Sequence, residues 1–241
     1  MKPVLILQHL SSDGPAYLGS WLQRQGVAFD VRDAETGQAR PHDMSEHGAL
    51  AVLGGEMSAN DALPSLREAE NLIRDAMQRG RPVIGHCLGG QLMARALGAK
   101  VIASPAPEIG WQPWSVEESA LASTWFAEPD ASVPSHVFQW HAEAFELPPG
   151  ATVLARSAAC PHQAFAIGPH LALQFHLEVD ETKLRLWSTA ESSDYLEQQR
   201  LHASVQSGAA MREGMAKHLD AQQRLADHVY SRWLGAAGMA S

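Results

Sequence analysis

Cys87 is the residue of this sequence that is best placed to act as a nucleophile. A short apolar run, Pro82–Ile84, predicts a buried strand that breaks at Gly85, and Leu88–Gly90 follows the cysteine at once. Residues 91–97 then carry helix formers, with apolar side chains along one face. A strand-turn-helix corner of this kind is the arrangement of a nucleophile elbow, in which glycines tolerate a strained backbone and let a substrate approach closely.

The helix predicted after Cys87 adds an electrostatic reason for reactivity. A helix N-terminus carries partial positive charge and free N–H groups, which favour a thiolate and can hold an oxyanion. The competing interpretation is that Cys87 is an ordinary buried residue, as most free cysteines are. The corner alone does not decide between the two.

A second stretch, Leu171–Val179, predicts a strand that ends in a histidine with a carboxylate two residues further on. In an extended chain, positions i and i+2 face the same way, roughly 6.5–7 Å apart. Glu178 is therefore expected to reach one ring nitrogen of His176 while the other nitrogen faces a thiol. A base that is oriented by a third group is the general form of a nucleophile triad. The pairing with an elbow cysteine favours a catalytic histidine over an ordinary one.

The composition limits the class of protein. The 241 residues, 45% hydrophobic and 19% charged, suffice for one α/β domain with a sizeable core. The net charge of −9 argues against nucleic acid as a partner, because phosphate binding needs clustered Lys and Arg. No apolar run is long enough to span a membrane, and two cysteines make no disulfide framework. We therefore expect a cytoplasmic protein with no nucleic-acid or membrane partner.

Strand and helix patterns alternate over the first hundred residues. Strands are predicted at Val4–Leu7, Val27–Val31 and Ala49–Leu53 and before Cys87, and helices at Ala16–Gln25 and Leu66–Arg79. This alternation favours a doubly wound, mostly parallel sheet, whose active site lies at the carboxyl ends of the strands. The glycine pair that follows the third strand, Gly54–Gly55, is therefore expected beside Cys87.

The second half of the chain has a less regular pattern. Short strands, expected as antiparallel additions, are predicted at Val101–Ala103, Ile109–Val116, Val137–Trp140, Thr152–Ala155, Ala164–Ile167 and Leu171–Phe175. Residues 181–241 are predicted to form a helical C-terminal extension that packs on a single domain, 1–241. The least apolar part of this extension, Ser188–Gly214, is expected to be a partly exposed helical hairpin or a mobile cover.

Two motifs together resemble the class I glutamine amidotransferase family. They are Gly85–Gln91 and Gln174–Glu178, and the family patterns are G-x-C-x-G-x-Q and Q-F-H-P-E. Gly54–Ser58 resembles the family's glycine turn after the third strand, and several segments between 108 and 165 resemble a stand-alone branch similar to the amidotransferase domain of GMP synthase. The resemblance implies a flavodoxin-like α/β fold with short antiparallel additions and a helical C-terminus.

The resemblance also implies a reaction and a role for each matching residue. Cys87 would be the nucleophile, His176 the general base and acid, and Glu178 the group that orients His176. Ammonia would leave the side-chain amide of L-glutamine through a γ-glutamyl thioester, with no cofactor and no metal. The backbone N–H groups of Gly55 and Leu88 would form the oxyanion hole, and the substrate would be bound by Gln91 and by residues near Trp140 and His141.

Three positions depart from the family pattern. His86 stands where an apolar residue is usual, and we expect it to be a core histidine rather than a second base. Leu177 replaces proline, which loosens the turn between His176 and Glu178 but keeps their spacing. Glu56 stands where proline is frequent, so that an acidic group at the mouth of the pocket could contact a substrate ammonium.

Several alternatives stay open at this stage. The ammonia could pass to a separate synthetase subunit, or the protein could be a stand-alone hydrolase of other γ-glutamyl amides or peptides. A metal enzyme is disfavoured because the 12 histidines lack metal-binding spacing. A non-enzymatic scaffold would need neither Cys87 nor His176, and Cys160 is expected to be a packing residue.

Overall fold

The computed structural model describes residues 2–127, 133–236 and 238. The strands within these residues are β1 (Val4–Gln8), β2 (Phe29–Asp33), β3 (Ala49–Val52), β4 (Val83–His86), β5 (Val101–Pro113), β6 (Ser115–Val116), β7 (His136–Phe145), β8 (Thr152–Arg156), β9 (Ala164–Ile167) and β10 (His170–Leu173). The helices are α1 (Ala16–Arg24), α2 (Pro64–Gln78), α3 (Leu88–Ala96), α4 (Ala120–Phe126), α5 (Glu181–Trp187), α6 (Ser193–Leu201) and α7 (Gly208–Gly235).

The main sheet has eight strands in the order β2-β1-β3-β4-β10-β9-β8-β6. The first five are parallel, and the last three join them in antiparallel pairs. Strands β1, β3, β4 and β10 are buried along their whole length, which explains their continuous apolar runs. The prediction of a mostly parallel α/β sheet with antiparallel additions is confirmed.

A separate two-stranded sheet pairs β5 with β7 in antiparallel fashion. The sequence predicted two short strands where β5 runs without a break. The register shifts between Ala103 and Glu108, and the proline-containing segment that separates them explains why the pattern looked interrupted. This sheet brings Phe138 and Trp140 to the carboxyl end of β4.

Several predicted strand boundaries were wrong, and hydrogen bonds explain two of them. Strand β2 begins at Phe29 rather than Val27, because the Val27 N–H closes the end of α1 by donating to the Leu22 carbonyl. Strand β10 ends at Leu173 rather than Phe175. The backbone of Gln174 and the residues after it turns away from the main sheet, and the His176 N–H donates to the Phe138 carbonyl instead.

The helical C-terminal extension packs closely on the sheet. Leu225, Val229 and Trp233 of α7 lie in the same buried cluster as Val4 of β1. The segment before α7 is tied to β5, since the Gln206 side chain bonds both the N–H and the carbonyl of Trp111. This part of the segment predicted as a partly exposed hairpin or a mobile cover is therefore docked on β5 in the structure. No helix in the described ranges is long and apolar enough to cross a membrane.

Candidate active site

Cys87 has a strained backbone at the corner between β4 and α3. Its φ of 49° and ψ of −108° lie outside the regions that L-residues favour. Glycines make the corner possible, because a Cβ on Gly89 would lie 2.0 Å from the Val52 carbonyl oxygen and one on Gly85 would lie 2.5 Å from the Gly89 backbone. The strand-turn-helix corner predicted around Cys87 is therefore the observed geometry.

The sulfur of Cys87 is almost enclosed but keeps polar neighbours. The residue is 6% exposed. Its Sγ lies 3.6 Å from the carbonyl oxygen of Trp140, and the side-chain amide of Gln174 donates to Sγ at 3.6 Å. The sulfur thus has one hydrogen-bond acceptor and one donor at 3.6 Å.

His176 and Glu178 meet in the turn after β10. Nδ1 of His176 lies 2.6 Å from Oε1 of Glu178, and both side chains are buried. The extended geometry expected for this pair was wrong, because the strand has already ended, yet the i+2 contact forms. A Cβ on Gly54 would lie 2.9 Å from His176 Cε1 and 3.8 Å from Cys87 Cβ, so these three residues share one small space.

The surroundings of the His176–Glu178 pair favour its charged form. Burial alone would lower the pKa of His176, but the Glu178 carboxylate and the Cys87 sulfur outweigh it and raise the pKa to about 10. Burial alone would likewise raise the pKa of Glu178, but His176 and, after it, His86 hold it well below its usual range. An imidazolium is thus favoured beside Cys87, with the carboxylate as its counter-ion.

Gly55 and Leu88 lie next to each other beside the corner. A Cβ on Gly55 would lie 3.0 Å from Leu88 Cδ2. Leu88 is the first residue of α3, so the helix itself provides no acceptor for its backbone N–H. The predicted oxyanion pair is therefore brought together at the helix N-terminus, where partial positive charge also favours an anion.

The four side chains predicted to bind substrate fall into different settings. Glu56 is exposed beside Gly55. Gln91 is buried, and its amide donates to the Glu143 carbonyl at 3.0 Å and to Gln174 Oε1 at 3.4 Å. Gln91 thus bonds directly to Gln174, the residue whose amide contacts Cys87 Sγ.

Trp140 and His141 point in opposite directions from β7. The half-buried Trp140 ring stacks on Tyr195 with centroids 5.7 Å apart, and its own carbonyl faces Cys87. His141 is buried instead in a second polar cluster, where Nε2 lies 3.3 Å from Glu108 Oε2. Of the two, the structure places only Trp140 next to the nucleophile.

His86 lies directly behind the His176–Glu178 pair. It is fully buried, its Nε2 is 3.2 Å from the Tyr230 hydroxyl and 3.9 Å from Glu178 Oε2, and burial lowers its pKa to about 4. It is therefore a neutral core histidine that is enclosed in the protein. Cys160 is also buried, and burial raises the pKa of its thiol to about 12, which disfavours a thiolate.

Three residues near the site were missed in the sequence. Gln174, which donates to Cys87 Sγ, belongs to the Q-F-H motif and could have been found there. The ring of Trp187 packs edge-to-face on that of His176 at 4.9 Å, and the amide of Gln222 bonds the His176 carbonyl. Neither lies in a motif, so no local signal marks them. Among the described residues, no group of three or more His, Cys, Asp or Glu could hold a metal ion.

Comparisons with known proteins show what the chain resembles. The model of the family "glutamine amidotransferase class-I" matches residues 21–186. The chain is 36% identical over 184 residues to the glutamine amidotransferase-like protein YfeJ of Salmonella typhimurium, covering 74% of this chain and 76% of that protein. It is 31% identical over 175 residues to one subunit of the glutamine-hydrolysing GMP synthase of Thermoplasma acidophilum, covering 68% of this chain and 82% of that one.

A solved structure extends the likeness to almost the whole chain. The glutamine amidotransferase of Methylobacillus flagellatus is 34% identical, with a TM-score of 0.89, and the match covers 98% of this chain and 95% of that one. The chain also matches longer GMP synthases, of whose length it spans about a third or less.

Proposed function

This chain belongs to the class I glutamine amidotransferase family, and on that premise we propose that it hydrolyses the side-chain amide of L-glutamine, or of a closely related γ-glutamyl amide, with Cys87 as the nucleophile. The observation that carries the proposal is the strained Cys87 beside an ionised His176–Glu178 pair. A buried ion pair without a function is costly to a fold, whereas one beside a cysteine keeps that cysteine nucleophilic.

The first half of the reaction forms an acyl-enzyme. The Cys87 thiolate attacks the γ-carbonyl carbon, and the N–H groups of Gly55 and Leu88 stabilise the oxyanion of the tetrahedral intermediate. His176 gives its proton to the amide nitrogen, the C–N bond breaks, and ammonia leaves. The γ-glutamyl group remains on the sulfur as a thioester.

The second half returns the enzyme to its starting state. His176, now neutral, removes a proton from a water molecule that attacks the thioester carbon. The C–S bond breaks, glutamate leaves, and the sulfur is again a thiolate beside an imidazolium. Glu178 keeps the imidazole in one tautomer and balances its charge in both halves.

Substrate binding follows from the residues around this centre. Glu56 at the rim is exposed and acidic, which suits it to the α-ammonium group of the substrate. The Trp140 ring supplies an apolar wall. Gln91 and His141, whose polar atoms already bond within the protein, contribute through the shape of the pocket rather than by direct contact.

The proposal is tested by measuring ammonia release from L-glutamine and from a panel of γ-glutamyl amides and peptides. We expect turnover that is lost in Cys87→Ala and retained in the matched variant Cys160→Ala. Activity on γ-glutamyl conjugates but not on glutamine would identify a stand-alone γ-glutamyl hydrolase. Stimulation of the glutaminase activity by a separate synthetase would identify an amidotransferase subunit. Full activity of Cys87→Ala would refute the mechanism.

A further inference from the structure

The amide of Gln222 completes a hydrogen-bonded ring around the backbone of the proposed base. The His176 N–H donates to the Phe138 carbonyl at 2.9 Å. The Phe138 N–H does not bond back to His176 but donates to Oε1 of Gln222 at 2.7 Å, and Nε2 of Gln222 donates to the His176 carbonyl at 3.1 Å. In an antiparallel pair of strands, two opposite residues exchange two hydrogen bonds directly. Here only the first bond is direct, and the Gln222 amide bridges the N–H and the carbonyl that would form the second.

The ring of hydrogen bonds lies in the interior. Gln222 and Phe138 are 0% exposed and His176 is 3% exposed. Without the amide, a backbone N–H and a backbone carbonyl would remain buried without partners, which the chain would avoid by moving the turn that carries His176. Gln222 thus determines how far this turn stands from β7.

The distance between this turn and β7 matters because β7 also reaches the nucleophile. Two residues beyond Phe138, the Trp140 carbonyl lies 3.6 Å from Cys87 Sγ. One rigid strand therefore connects the anchor of the base to the surroundings of the nucleophile. A shift at Phe138 changes the position of His176 relative to the Cys87 sulfur.

We propose that Gln222 is a positioning residue of the proposed reaction, which holds the His176 turn against β7 so that the imidazole meets Cys87. The residue lies in α7, outside the 21–186 segment that the family model matches. The C-terminal extension therefore completes the site. This inference rests on the proposed function for its kinetic readout.

The test replaces Gln222 with leucine, which keeps the volume and removes both hydrogen bonds. We expect kcat to fall about 10- to 100-fold, since a misplacement of about 1 Å in a catalytic group has effects of this size. KM should change by no more than about twofold, because the amide lies behind the base and not in the substrate pocket. If the leucine variant does not fold, Gln222→Glu replaces it in the test. This variant keeps the oxygen that accepts from the Phe138 N–H and loses the N–H that donates to the His176 carbonyl.

Gln112 provides the matched control. Its buried amide donates to the carbonyls of Ile109 and Ser204, so it also ties the extension to the protein, but it contacts neither His176 nor Cys87. We expect Gln112→Leu to lose stability while kcat per folded molecule stays within about twofold of the wild type. An equal loss of kcat in both variants would show a general loosening and would overturn the assignment.

A second readout is independent of any substrate. The rate of Cys87 alkylation by iodoacetamide, with Cys87→Ala as the blank, reports how His176 is placed beside the sulfur. The titratable groups around Cys87 and His176 are Glu178 and, behind it, His86, Lys183 and Tyr230. Gln222→Leu should slow alkylation at pH 7 about tenfold, whereas Gln112→Leu should leave the rate within about twofold of the wild type.

The two readouts separate the failure of one proposal from that of the other. Wild-type protein that releases no ammonia from any γ-glutamyl amide would refute the proposed function, and alkylation would still test Gln222. A folded Gln222→Leu protein with the wild-type alkylation rate and kcat would limit the residue to stability and overturn the inference.

Discussion

Among the described residues, two buried histidine–glutamate contacts are shorter than 3.5 Å, and one of them has a cysteine beside it. His176 and Glu178 approach to 2.6 Å next to the strained Cys87. His141 and Glu108 approach to 3.3 Å on the two strands of the smaller sheet. In the second pair, Glu108 Oε2 also accepts from Ser157 Oγ at 2.8 Å and from Gln163 Nε2 at 2.7 Å.

The difference between the pairs lies in what their remaining polar atoms meet. Neutral donors surround Glu108, and the other ring nitrogen of His141 lies 3.1 Å from the Glu143 carbonyl, so the neighbours of this pair are uncharged groups of the fold. The turn of Glu178 instead leaves His176 beside a sulfur on a strained corner. A histidine–glutamate contact is therefore no sign of catalysis by itself, and what distinguishes the two pairs is the cysteine beside one of them.

The largest expected effect comes from removing the Cys87 sulfur. Cys87→Ala should lower kcat/KM for amide hydrolysis by about 10⁴-fold or more, because loss of a nucleophile removes the covalent path altogether. Ammonia release measures it. Cys160→Ala, the matched change at the other buried cysteine, should stay within about threefold of the wild type. Equal losses in both variants would point to misfolding in place of chemistry.

Glu178→Gln should have the next largest effect. The amide is isosteric but cannot balance an imidazolium, and it presents a different hydrogen-bonding pattern to Nδ1. We expect kcat to fall by about 10²- to 10⁴-fold, as for other nucleophile triads that lose their carboxylate. Steady-state kinetics on folded protein, checked by circular dichroism, provides the measurement. A variant that retains more than about a third of the wild-type kcat would contradict the role of Glu178.

Gly54→Ala tests the space that the nucleophile and base share. Its Cβ would lie 2.9 Å from His176 Cε1, so the imidazole must move. We expect a loss in kcat of about 10- to 100-fold with little loss of stability. At Gly14 a Cβ would make only an ordinary 3.6 Å contact with Gln8, so Gly14→Ala should leave kcat unchanged. If Gly54→Ala were fully active, His176 would have to occupy another position during the reaction.

The pH dependence of stability tests whether the His176–Glu178 pair is charged. A pKa of His176 raised from 6.5 to about 10 contributes stability that is fully present below pH 6.5 and is lost as pH rises through 10. The wild type should therefore be more stable than His176→Gln at pH 6. This difference in the free energy of unfolding should be smaller at pH 10, by on the order of 2 kcal/mol. Urea unfolding across this range measures the difference. A constant difference would indicate a neutral pair.

The meeting of the three proposed catalytic residues could be predicted from the sequence because their signals are local. The glycines around Cys87 mark a strained corner, and the spacing of His176 and Glu178 brings them together in the observed turn as it would in a strand. The alternation of β1, α1 and the following elements likewise indicated the parallel sheet. Each of these features lies within a short stretch, where the geometry of the chain limits the outcome.

What could not be predicted depends on contacts between distant parts of the chain. The His141–Glu108 contact arises only because β5 and β7 pair in a separate sheet, and no pattern within either strand indicates it. Gln222 resembles any other glutamine on a polar helix until α7 docks and buries it. The same applies to Trp187, whose contact with His176 requires the turn that ends β10 two residues early.

The smallest expected effect on catalysis separates the two pairs most sharply. Glu108→Gln keeps the shape of the second cluster but replaces one acceptor by a donor that would face the Gln163 amide. We expect a loss of about 1–3 kcal/mol in the free energy of unfolding, the usual result of leaving buried polar groups mismatched. kcat per folded molecule should change by less than about threefold, because Glu108 orients no group that touches the Cys87 sulfur. A loss in kcat as large as that of Glu178→Gln would mean that His141 takes part in the reaction, and the division between a structural and a catalytic pair would then be wrong.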